Sequence, residues 1–290
     1  MIIKIKKILL IILFLSIIYL FPALLYGEQF YVFRGNYWDH FNYLSSALLF
    51  KNFNYQDILI NSFDKIFLSF QSIDSIVKSR PITNYFLAIF LQFNFLDIFF
   101  LTFVYKVFII CLIFLAFQDY LDVFLKSSNL KKTLLSLLFL FSFWSIYIFE
   151  IDALSHLTSI PIFLFCLKNI NFFFINLKRG KKNIIAFYII NISALFLIYP
   201  ELFIIFLFIL GLYFLSIINK IQFDKKFIKN IFISIILFFL LTVQSFETNY
   251  QFLIDQFHHA MNLQRDWWGY YGSFILGKNN LVMDDNFVNL

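Results

Sequence analysis

Apolar segments recur along the whole chain, at about 8–26, 81–96, 98–118, 133–149, 157–177, 184–199, 201–218 and 230–246. A helix needs about 20 apolar residues to cross the hydrocarbon core of a bilayer. This succession predicts an all-α fold, a polytopic transmembrane helical bundle. Composition agrees: 61% of residues are hydrophobic and 14% charged, against about 45–50% and 25% in soluble chains. The mean hydropathy is +0.82. The 46 Phe, with many Ile, Asn and Lys, match the codon usage of an AT-rich genome, so a Phe-rich helix face says little about function.

The net charge of +6 does not point to nucleic acid, because the Lys and Arg cluster in short loops and act as topology signals. Cys111 and Cys166 lie inside apolar runs without metal-type spacing and read as packing residues. Lys4, Lys6 and Lys7 precede an apolar run that continues to about Tyr26. That run is longer than a signal-peptide core of about 7–15 residues, and no A-x-A-like cleavage site comes after it. It reads as an uncleaved first span with its lysines in the cytoplasm.

If all eight segments crossed, the basic loops "LKRGKKN" (177–183) and "NKIQFDKKFIKN" (219–230) would lie outside, against the positive-inside bias. Removing one crossing repairs both. The weakest segment is Pro81 to Asp97, which carries Asn84, Gln92 and Asn94. It reads as a juxtamembrane or re-entrant helix of the first outer loop. About seven spans remain. The loop 27–97, the stretch 149–156, the turn at 199–201 and the tail from Glu247 then face outward. This divides the chain into a transmembrane core, 1–246, and an outer C-terminal segment, 247–290.

Candidate functional residues collect on that outer side. Asp39 and His40 stand in "FRGNYWDHFNYLSSALLF", where Asp39 either caps a helix or acts as a catalytic or ligand-orienting carboxylate. His40 is a weaker substrate contact. Glu150, Asp152 and His156 occur in "FEIDALSHLTSIP". Asp152 and His156 are four apart and would share a helix face, suited to sugar hydroxyls, to a metal, or to a polar cap on an outer turn. Tyr199 and Glu201 flank Pro200. Pro and Glu suit the first turn of a helix, and a carboxylate there also meets a lipid-borne substrate at the membrane surface. Lys106 lies within a span, where a charge is costly and marks functional interest, unless it snorkels. Arg80, just before Pro81, has the planar fork that pairs with a phosphate. The aromatic tail 257–274 reads as an interfacial belt. No cofactor is assigned, and the use of a metal is left open.

In order and spacing the chain resembles the GT-C superfamily of membrane glycosyltransferases, which includes protein O-mannosyltransferases and aminoarabinose transferases. The resemblance rests on Asp39 in "GNYWDHFNYLSSAL", in a long first outer loop after one span. It rests also on the Arg80–Pro81 pair in "SRPITNYFLAIF", and on acidic residues at the outer ends of later spans. It implies a sugar transferase using a polyprenyl-phosphate donor, with Asp39 as the catalytic acidic residue and Arg80 toward the lipid phosphate. The acceptor would be a glycan, a lipid or a protein, and the location the outer face of a bacterial inner membrane. Members usually show an acidic pair in the first loop, and are longer, so this chain is expected to be a minimal core or a piece. The alternative expectation is a transporter or flippase for a lipid-linked saccharide. A flippase would place polar groups along a path through the bilayer.

Overall fold

The computed structural model describes residues 2–26, 38–53, 80–93, 96–142, 145, 153–220 and 224–262, with side chains except at 2–8, 22–23, 26, 38–42, 220 and 255–262. Among them all regular structure is helical. The helices are α1 (Ile2–Tyr26), α2 (Trp38–Asn52), α3 (Pro81–Phe90), α4 (Ile98–Phe124), α5 (Asn129–Leu140), α6 (Leu154–Lys168), α7 (Ile170–Arg179), α8 (Lys182–Ile198), α9 (Pro200–Ile217) and α10 (Lys225–Asn262). The chain divides into two compact units, Met1–Asn249 and Tyr250–Leu290. The second is described only to Asn262, as helix.

Among the described residues three helices are long and apolar enough to cross a membrane: α4, α9 and the Lys225–Ile254 part of α10. A fourth arises if α6 and α7, bent by 53° at their junction, form one broken span. Among the described residues the protein is therefore an all-helical membrane protein with three to four membrane-capable helices, where seven crossings were expected. Local features distinguish several of the expected segments. The 157–177 segment breaks at Asn169, which ends α6 and precedes α7, its side-chain amide donating to the Phe165 carbonyl at 2.9 Å. The 184–199 segment forms α8, which has 17 residues. The 133–149 segment is described as helix only to Leu140, apart from Ser145. The 81–96 segment, the one expected not to cross, is the ten-residue α3, about 15 Å long and half the thickness of the hydrocarbon core.

Helix α4 is the centre of the first unit, with 61% of its most apolar window buried. Only 17% of that window is buried in α9 and 22% in α10. Leu207, Phe208, Leu212, Phe232, Leu240 and Val243 point outward from these two helices. So large an apolar face suits hydrocarbon rather than water.

Contacts between helices set their directions. Tyr105 on α4 bonds Thr158 on α6 at 2.8 Å, and Asp119 pairs with Lys168 at 2.5 Å. Helices α4 and α6 therefore run parallel. Tyr188 on α8 donates to the Cys166 carbonyl, while His156 stacks on Tyr199, so α8 returns antiparallel to α6. Phe163 on α6 meets Phe206 on α9 edge-on. Asn230 on α10 donates to the Leu177 carbonyl, and Asn249 donates to the Phe196 carbonyl. One end of this bundle carries Arg80, His156, Tyr199 and Glu201. The other carries Lys168, Lys178, Arg179, Lys181, Lys182, Lys225 and Lys226.

Two glycines test the packing from opposite sides. Gly180 ends α7 in the left-handed region, φ +71°, with its N–H on the Asn176 carbonyl at 2.8 Å. A Cβ there would collide with the Lys226 side chain. Gly211 sits inside α9, and a Cβ there meets nothing within 4 Å. Gly180→Ala is expected to lower stability by more than ~1 kcal/mol, and Gly211→Ala to raise it by roughly 1 kcal/mol. Thermal unfolding of both variants in detergent checks the signs.

Candidate functional site

The site is organised by Arg80. It directly precedes Pro81, the first residue of α3, and has φ −128° and ψ 51°; a residue before proline is kept out of the helical region. Its Nη1 donates to the Tyr43 hydroxyl on α2 at 2.9 Å. Its Nη2 donates to Glu201 Oε1 in the first turn of α9 at 2.7 Å. The guanidinium carbon lies 4.9 Å from the centroid of the Tyr199 ring, within cation–π range. Tyr199 stacks on His156 of α6 at 4.7 Å. One side chain thus joins α2, α6 and the α8–α9 joint to the start of α3.

The same proline logic places Glu201. Tyr199 is extended, φ −153° and ψ 89°, because Pro200 comes next, and Pro200 opens α9 with Glu201 in its first turn. The helix dipole favours a carboxylate there, and the pairing with Arg80 adds a second reason. Burial alone would lower the Arg80 pKa. Its interactions with Tyr43, Glu201 and Tyr199 outweigh that and hold it above the ordinary value, so the guanidinium is charged at every working pH.

The pair is not fully satisfied. Glu201 Oε2 is buried without a hydrogen-bond partner among the described residues, as are Thr83 Oγ1 in the first turn of α3 and Ser155 Oγ beside His156. Thr83 and Ser155 are completely buried. Native proteins leave few such atoms unpaired, roughly a tenth at most. A free carboxylate oxygen, hydroxyls and a stacked aromatic pair are the groups that recognise a hydroxyl-rich ligand: the oxygens take hydrogen bonds and the rings cover an apolar face.

Of the residues singled out in the sequence, the structure brings Arg80, His156, Tyr199 and Glu201 together. Lys106 is buried on α4 with its ammonium 5.6 Å from the Phe103 ring centroid. Asp39 and His40 belong to the α2 backbone, but their side chains lie outside the described residues. Glu150 and Asp152 lie outside them altogether, so the proposed Asp152–His156 face is not described. Tyr43 was missed. Its signal was present, in the same aromatic stretch, one helical turn after Asp39, but a tyrosine among many carries no mark of its partner. Among the described residues no group of three His, Cys, Asp or Glu could hold a metal.

No protein-family model, no curated protein and no solved structure matches the chain.

Proposed function

We propose that the protein is a glycosyltransferase of the bacterial inner membrane. It transfers a sugar from a polyprenyl-phosphate donor to a hydroxyl of a glycan, lipid or protein acceptor at the outer face. The observation that carries this reading is the cluster of Arg80, Tyr43, His156, Tyr199 and Glu201 at the end of the bundle opposite the lysines. With lysines facing the cytoplasm, that end is the outer one.

In this reading Glu201 Oε2 accepts a sugar hydroxyl, and the His156–Tyr199 pair covers a sugar face. Arg80 holds Glu201 in place and supplies positive charge near the leaving phosphate. Asp39, one turn before Tyr43 on α2, takes the proton from the acceptor hydroxyl. The bond between the sugar anomeric carbon and the phosphate oxygen breaks, the bond to the acceptor oxygen forms, and polyprenyl phosphate leaves.

The test uses the full chain in vesicles with a radiolabelled polyprenyl-phosphate sugar and a membrane extract as acceptor. Wild type is expected to move label to the acceptor fraction. Asp39→Asn should abolish transfer while expression and insertion stay normal. Normal transfer by that variant would defeat the catalytic role of Asp39. Label that crosses the bilayer without changing its carrier would instead establish the flippase.

A further inference from the structure

We propose that the basic end of the bundle holds one anionic phospholipid, independently of the site at the other end. An apolar cavity of about 540 Å³ lies between α7, α8, α9 and α10. Its lining includes Phe174, Leu177, Phe203, Gly211, Ser234 and Phe239. Its size falls among ordinary ligand pockets, about 300–1,000 Å³. Gly211 and Phe239 are exposed, so the cavity opens sideways, where hydrocarbon chains would surround the helices.

Two observations identify the occupant. The first is charge. The cavity ends at Leu177, next in sequence to Lys178 and Arg179. Lys226 lies against Gly180 just beyond, and Lys178, Arg179, Lys181 and Lys226 are not buried. The nearby carboxylate, Asp224, is committed to the start of α10, where it accepts the Phe227 N–H at 2.7 Å. An apolar slot leading to a group of cations matches an acyl chain joined to a negatively charged headgroup. The second is Gly211. A glycine inside a helix costs about 1 kcal/mol relative to alanine, and no close neighbour requires it here. What its missing side chain leaves is room in the slot.

The full-length protein is to be reconstituted in bilayer discs of equal parts phosphatidylglycerol and phosphatidylcholine, then extracted and weighed intact by native mass spectrometry. Wild type is expected to retain one phosphatidylglycerol at several times the level of phosphatidylcholine. Gly211→Leu, whose Cβ has nothing within 4 Å and whose branch projects into the slot, should lose at least nine-tenths of the retained lipid of both kinds, while Gly211→Ala retains it. Arg179→Gln with Lys226→Gln should bring the two lipids to equal retention while the slot stays occupied. Equal retention of both lipids by wild type, or full retention by Gly211→Leu, would overturn the proposal.

Discussion

Arg80→Gln is expected to destabilise the protein by about 3 kcal/mol, the lower end of the range for removing one partner of a buried ion pair. The lower end applies because the Arg80 and Glu201 side chains keep 13% and 28% of their exposure, so water partly rescues the orphaned carboxylate. The loss has three parts. The 2.7 Å bond to Glu201 Oε1 goes, the donor to the Tyr43 hydroxyl weakens, and the cation over Tyr199 disappears. Glu201→Gln in the same chain removes the uncompensated charge. The double variant is therefore expected to recover most of the loss, with a coupling on the order of 2 kcal/mol. Denaturation in detergent of the wild type, both single variants and the double variant closes the cycle. Strict additivity would mean that the two side chains do not act as a pair.

Phe206→Ala is the other large effect. Phe206 is completely buried on α9 and meets Phe163 of α6 edge-on, with ring centroids 6.4 Å apart. In a soluble core such a truncation costs about 3–5 kcal/mol. Part of that cost is transfer to water, and in a membrane the separated helix is covered by lipid instead. The cavity term persists, because the α6–α9 contact cannot close over a missing ring. The expected loss is therefore about 3 kcal/mol, at the low end of the soluble range. Phe208→Ala, two residues on and 67% exposed, should change stability by only a few tenths of a kcal/mol in the same assay. Similar losses at the two positions would contradict the outward orientation of the α9 face.

Much of this architecture was legible because hydropathy and charge are local properties. The apolar runs predict helices, and helices form at each described one. The proline at 81 predicts a short separate element, and α3 is one. The proline at 200 predicts a helix start with Glu201 in the first turn, and α9 begins there. The break at Asn169 was not anticipated, since one asparagine inside an apolar run weighs little in a hydropathy average. Tyr43 was passed over for a related reason: its place in the site depends on a guanidinium 37 residues away.

The sequence by itself determined that the chain is helical, that it belongs in a membrane, and that its lysines and its acidic candidates fall in different loops. Only the tertiary structure decided that Arg80 and Glu201, 121 residues apart, form one ion pair, with Tyr43, Tyr199 and His156 around it. The reason is physical. A helix is specified by the residues within a few turns of one another. Which helix ends meet is specified by packing among α2, α3, α6, α8 and α9, to which buried residues as far apart as Tyr43 and Phe206 contribute.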